Sequence, residues 1–128
     1  MRRYDLSLDK YGISHHRYRE LLAACRQYEE RRQKIIGLYQ PKAIVFDGMP
    51  HSSNPGSPTE QAVLQLEKLK EKQRIIEQTA QEADPGQWKE ILKNVSAGIR
   101  YENLNYYGGK SQFYTVRRKF FYLLDKRY

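Results

Sequence analysis

Two stretches of this chain repeat apolar residues at heptad spacing, and both run for the same distance. Tyr18, Leu21, Cys25, Tyr28, Arg32, Ile35 and Tyr39 step by 3, 4, 3, 4, 3 and 4 residues, with Leu22 and Ile36 widening the stripe. Ala62, Leu66, Leu69, Gln73, Ile76, Ala80 and Ala83 step by 4, 3, 4, 3, 4 and 3. At about 1.5 Å per residue, each helix spans roughly 35–40 Å. Equal lengths and a connecting linker predict a long antiparallel helical hairpin, coiled-coil-like, over residues 14–84. Each seam contains one polar residue, Arg32 and Gln73, and in that pairing the two meet near mid-length. Such a residue fixes register at some cost in stability. Using the seams between two chains, as a homodimer through the hairpin, satisfies the same pattern.

The boundaries follow from capping chemistry. Residues 1–13 read as an N-terminal arm closed by Tyr11-Gly12-Ile13, and Ser14 is the expected N-cap of the first long helix. Pro41 disfavours helix in the residue before it. Residues 40–57 form a linker with Pro41, Gly48, Pro50, Pro55 and Gly56, in which Ala43-Ile44-Val45-Phe46 is the only β-leaning run. Four residues are too few to found a sheet, so that run is expected to pack against a helix. Ser57-Pro58-Thr59-Glu60 is a capping box with proline at the first helical position. Asp84-Pro85 marks the next start. Beyond it, residues 85–128 are expected to form a helix-turn-helix three-helix module. Its pieces are Gln87–Ser96, burying Trp88, Ile91, Leu92 and Val95; Tyr101–Tyr106, with Leu104 inward; and a last helix after Gly108-Gly109. The inward set of the module is Leu92, Ile99, Leu104, Phe113, Val116 and Phe120. The fold class is all-α.

Charge gives this outline a direction. The formal net charge is +8, which favours polyanionic partners. Residues 85–128 hold nine cations against three acids, so most of the excess lies there. In the last helix Phe113, Val116, Phe120 and Leu124 stand at i, i+3, i+7 and i+11, one docking stripe. Lys110, Gln112, Tyr114, Thr115, Arg117, Arg118 and Lys119 lie off it. Cations there neutralise phosphates, while amide, hydroxyl and guanidinium groups pair with base edges. Lys110, Gln112, Thr115 and Arg118 are the expected groove contacts; Arg117, Lys119 and Arg127 are assigned to phosphates or the surface. Phe121 and Tyr122 point away from the stripe, toward the hairpin or a dimer partner.

Other classes are disfavoured. A single cysteine, Cys25, allows no internal disulfide and sits in a seam as a small hydrophobe. The start Met1-Arg2-Arg3-Tyr4-Asp5 has no apolar run behind it, and no stretch approaches about 18 apolar residues. A cytoplasmic protein without membrane contact is expected. His15 and His16 are adjacent and splay apart on a helix, so no metal site is expected there, and no cofactor. No phosphate loop, nucleophile elbow or zinc-finger spacing is present to suggest an enzyme.

Gly98-Ile99-Arg100-Tyr101-Glu102-Asn103-Leu104, then Phe113-Tyr114 and Arg117-Arg118-Lys119-Phe120-Phe121-Tyr122-Leu123-Leu124, resemble the C-terminal part of small phage and prophage transcriptional regulators of the RinA and ArpU-like type. Their helix-turn-helix is similar to region 4 of sigma factors. The resemblance extends to Met49-Pro50-His51-Ser52-Ser53 and to Tyr11-Gly12-Ile13-Ser14 with Arg17-Tyr18-Arg19-Glu20-Leu21. It implies a double-stranded DNA-binding regulator whose groove-entering surface is Ser111 to Lys119, and a hairpin that dimerises or contacts RNA polymerase. The chain departs from that family at the turn, where a double glycine lowers preorganisation. Two other functions fit the composition: an assembly protein such as a small terminase-like DNA-packaging subunit, or a coiled-coil scaffold that binds no nucleic acid.

Overall fold

The computed structural model describes residues 7–39 and 60–128, and among them every regular element is helical. Five α-helices follow one another: α1 (His15–Arg26), α2 (Tyr28–Tyr39), α3 (Glu60–Ala83), α4 (Trp88–Ala97) and α5 (Lys110–Arg127). Two 3₁₀ turns, Ser7–Tyr11 and Tyr101–Asn103, precede α1 and α5. The 40–57 linker with its Ala43–Phe46 run, the Ser57–Thr59 part of the capping box and the Met49–Ser53 segment lie outside the described residues.

Ser14 caps α1 as its chemistry predicts, its hydroxyl accepting the Arg17 amide at 3.1 Å. The first seam is not one helix, however. It breaks at Gln27, whose amide is shared between the carbonyls of Ala23 and Ala24 at 3.2 and 3.3 Å. Past the break the buried face resumes one residue early. Arg31 is therefore the buried polar member of the seam, 4% exposed, and Arg32 faces solvent beside Glu29. The expected partner of Gln73 is corrected from Arg32 to Arg31.

The Arg31 guanidinium is held by neutral oxygens. Its Nε donates to Gln73 Oε1 at 2.6 Å, and its Nη2 donates to the Ala24 carbonyl at 3.0 Å, back across the break. Gln73 in turn donates from Nε2 to the Tyr28 carbonyl at 3.0 Å, and the Tyr28 hydroxyl donates to Glu77. Tyr28 and Arg31 thus meet Glu77 and Gln73, in opposite order along α2 and α3. Burial and the Glu77 bond push the Tyr28 hydroxyl well above the usual phenol range.

One buried cluster joins the N-terminal and C-terminal parts of the chain. Leu8, Ile13, Tyr18, Leu21 and Cys25 pack in it with Ile76, Ala80, Ala83, Ile91, Val95, Phe113, Phe120, Phe121 and Leu124. The second half of α3 supplies the middle of this core. Its first half is thinly covered, with Val63 41% and Leu64 56% exposed. Helix α4 ends where a left-handed Gly98 (φ 74°) takes over, as the sequence predicts for Ala97-Gly98. The expected amphipathic piece Tyr101–Tyr106 is helical only over Tyr101–Asn103.

Candidate nucleic-acid interface

Helix α5 starts at a turn fastened from outside. Gly108 has φ 119°, a backbone conformation that side-chain-bearing residues rarely adopt, and a Cβ there would also push aside the Gln112 side-chain oxygen at 2.7 Å. The Tyr101 hydroxyl donates to the Gly108 carbonyl at 2.7 Å, and Glu90 accepts the Asn105 amide at 2.8 Å. The Gln87 side-chain amide grips Tyr107 twice, accepting its N–H and donating to its carbonyl at 2.9 Å. The Tyr106 hydroxyl donates to Asp84 at 3.1 Å while its ring meets Phe113 edge-on at 5.2 Å. The looseness expected of a double glycine is therefore offset by side chains from α4 and the turn before it. Burial pushes the Glu90 carboxyl up, but the Asn105 amide and Lys93 outweigh that and leave it below the ordinary carboxylate value.

The inner face of α5 is wider than the stripe predicted for it. Phe113, Phe120, Phe121 and Leu124 are all fully buried, and Val116 is half-buried. Phe121 packs on the first heptad segment after all, edge-on to Tyr18 at 5.0 Å. Arg117 lies four residues from both Phe113 and Phe121, in the middle of this face. Its Nε donates to Asn94 at 2.7 Å and its Nη2 to the Tyr18 hydroxyl at 3.0 Å, with the guanidinium 5.0 Å from the Phe121 ring. Arg117 thus ties α5 to α1 and α4, and the outward role expected for it is corrected. Arg127 is likewise occupied, by Glu82 and by the Thr79 hydroxyl at 3.1 Å. The acid of α5, Asp125, pairs with Arg17 at 2.7 Å, and that bond raises the Arg17 pKa.

The outer face keeps the remaining expected residues. Lys110, Ser111, Gln112, Thr115 and Lys119 are exposed; Tyr114 and Arg118 are half-buried. Lys110 stands 3.6 Å from Glu102, an exposed pair of little strength in water. The Thr115 hydroxyl donates to the Ser111 carbonyl at 3.0 Å and accepts from Arg118 Nη2 at 3.2 Å. Arg118 Nε is enclosed and has no hydrogen-bond partner. Sequence reasoning missed how far this face continues. Ser111, Thr115, Arg118, Tyr122 and Lys126 recur at i, i+4, i+7, i+11 and i+15, and that spacing was the available signal. Lys126 lies 4.1 Å from the Tyr122 ring centre, and the Tyr11 ring lies tilted against Tyr122 at 5.7 Å.

Among the described residues no three His, Cys, Asp or Glu side chains are grouped to hold a metal ion, and no helix is long and apolar enough to cross a membrane. No protein-family model matches this chain, and neither a curated protein nor a solved structure matches it.

Proposed function

We propose that this chain is a DNA-binding regulator of the phage or prophage type, reading duplex with the outer face of α5. In this reading α2 and α3 are the antiparallel hairpin that dimerises or contacts RNA polymerase. The α4 helix and the Tyr101–Asn103 turn act as the support of a helix-turn-helix-like module, and α5 is its recognition helix. One observation carries the reading: α5 is fully buried along Phe113, Phe120, Phe121 and Leu124 and turns Ser111, Gln112, Thr115 and Lys119 to water. Its own carboxylate, Asp125, is neutralised by Arg17, so no acid of α5 opposes a phosphate.

Lys110, Gln112, Thr115 and Arg118 are the proposed groove residues, and Lys119 a phosphate contact. Swinging Arg118 out to a duplex exchanges a shielded, unpaired Nε for a charge-assisted bond. Arg117 has no part in this site. The test is duplex binding by anisotropy across a salt series. Lys119→Ala is expected to lower the salt slope by about one charge, and Arg118→Ala to weaken binding by roughly 1–3 kcal/mol. Unchanged isotherms for both variants refute the reading.

A second reading, an assembly protein that builds an oligomer, draws support from the exposed Val63 and Leu64. Light scattering tests it: a concentration-independent monomer removes it.

A further inference from the structure

We infer that the cleft between the start of α4 and the loop before α5 is a stacking site for an unpaired nucleotide, with the Tyr107 ring as its platform. The cleft measures about 380 Å³ and is lined by Gln87, Trp88, Lys89, Asn105 and Tyr107 among others. That volume falls in the range of small-molecule clefts. It lies apart from the outer face of α5 and holds or fails independently of it.

Tyr107 is 83% exposed, far more than any other aromatic residue described. An exposed ring on a loose loop means little, but this one stands on a fastened backbone. Both backbone polar groups of Tyr107 are taken by the Gln87 amide. The next carbonyl is held by Tyr101, and the amide two residues earlier by Glu90. A ring presented this way costs little further ordering when a planar group lands on it. Trp88 also lines the cleft, half-buried, with the Lys89 ammonium 5.8 Å from its ring.

Charge selects the ligand. The carboxylate in the cleft, Glu90, is committed to the Asn105 amide and Lys93, so it is poorly placed to repel an anion. Lys89 lines the cleft and brings an ammonium group to it. The exposed Asn105 side chain offers an amide for a base edge. A flat ring platform flanked by an ammonium group and an amide suits a nucleobase with its phosphate. Bases inside a duplex have no free face, so the occupant is a nucleotide in a single strand or at a strand junction.

Trp88 is the single tryptophan of the chain, so its emission reports on the cleft directly. The full chain is titrated with a single-stranded oligothymidylate of about ten nucleotides, a length suited to such sites. Saturable quenching is expected. Tyr107→Ala is expected to weaken it by about tenfold or more, the usual worth of one stacked base, and Tyr107→Phe to retain it. An abasic strand of the same length is expected to bind weakly and leave Trp88 unquenched. Duplex binding by Tyr107→Ala is expected to match the parent chain, which separates this site from the α5 face. Absence of quenching, equal affinity of Tyr107→Ala, or equal quenching by the abasic strand overturns the inference. Preference for an acidic aromatic peptide over the oligonucleotide overturns it too.

Discussion

The Arg31–Gln73 contact allows a quantitative test of how the core tolerates a charge. Arg31 is 4% exposed and its three acceptors are neutral: Gln73 Oε1 at 2.6 Å, the Ala24 carbonyl at 3.0 Å and Gln27 Oε1 at 3.4 Å. Gln73→Leu removes the shortest of these and leaves a buried charged donor unpaired. It also takes the side-chain donor from the Tyr28 carbonyl. A lost partner to a buried charged group costs about 3 kcal/mol. Arg31→Met leaves Gln73 Oε1 without a donor and leaves the Ala24 carbonyl only its longer bond from the Gln27 amide, a neutral loss of about 2 kcal/mol. In the double variant the charge and the amide disappear together, and only the Ala24 and Tyr28 carbonyls remain short of a donor. Its cost is then about 2 kcal/mol, against about 5 for the two single changes summed. The assay is urea unfolding followed by far-ultraviolet circular dichroism for all four proteins, with the slope checked for constancy. At a slope of about 2 kcal/mol per molar urea, a coupling of about 3 kcal/mol corresponds to roughly 1.5 M in urea midpoint. A double variant as unstable as the sum of the singles refutes the reasoning, because Arg31 would then owe nothing to Gln73.

Three further outcomes are expected. Phe121→Ala, which empties a fully buried site against Tyr18, should cost about 3–5 kcal/mol in the same urea assay. Gly98→Ala should cost about 1–2 kcal/mol, since φ is 74° and the new Cβ would fall 2.4 Å from the Arg26 guanidinium, which must move aside. Burial pushes the Cys25 thiol from 9.0 up to about 12, so between those pH values the unfolded chain loses a proton the folded chain keeps. Stability should be full below pH 9 and fall as pH rises through that window, and Cys25→Ala should flatten the decline in urea midpoints.

In α1 and the second half of α3 the pattern alone located the core. Gln73, Ile76, Ala80 and Ala83 are buried in the register their spacing dictates. Tyr18, Leu21 and Cys25 behave likewise. The seam slipped at Arg31 because Arg26-Gln27-Tyr28 contains no proline or glycine to announce a break. Arg117 was misplaced because charge was taken as a sign of exposure, although its spacing from Phe113 and Phe121 put it on the inner face. The Leu104–Gly109 loop was unreadable for a different reason. Its shape depends on Gln87, Glu90 and Tyr101 reaching backbone groups up to 20 residues away, and such bonds leave no periodic trace.

The seam between α1 and α5 has a kinetic consequence. Arg17 and Asp125 are 108 positions apart, and Tyr18 and Arg117 are 99 apart. Bringing them together closes a very large loop, whereas α3, α4 and α5 find one another over shorter spans. In refolding, α1 is thus expected to dock after α3, α4 and α5 have met. Until it arrives, the Phe121 ring waits without its Tyr18 neighbour.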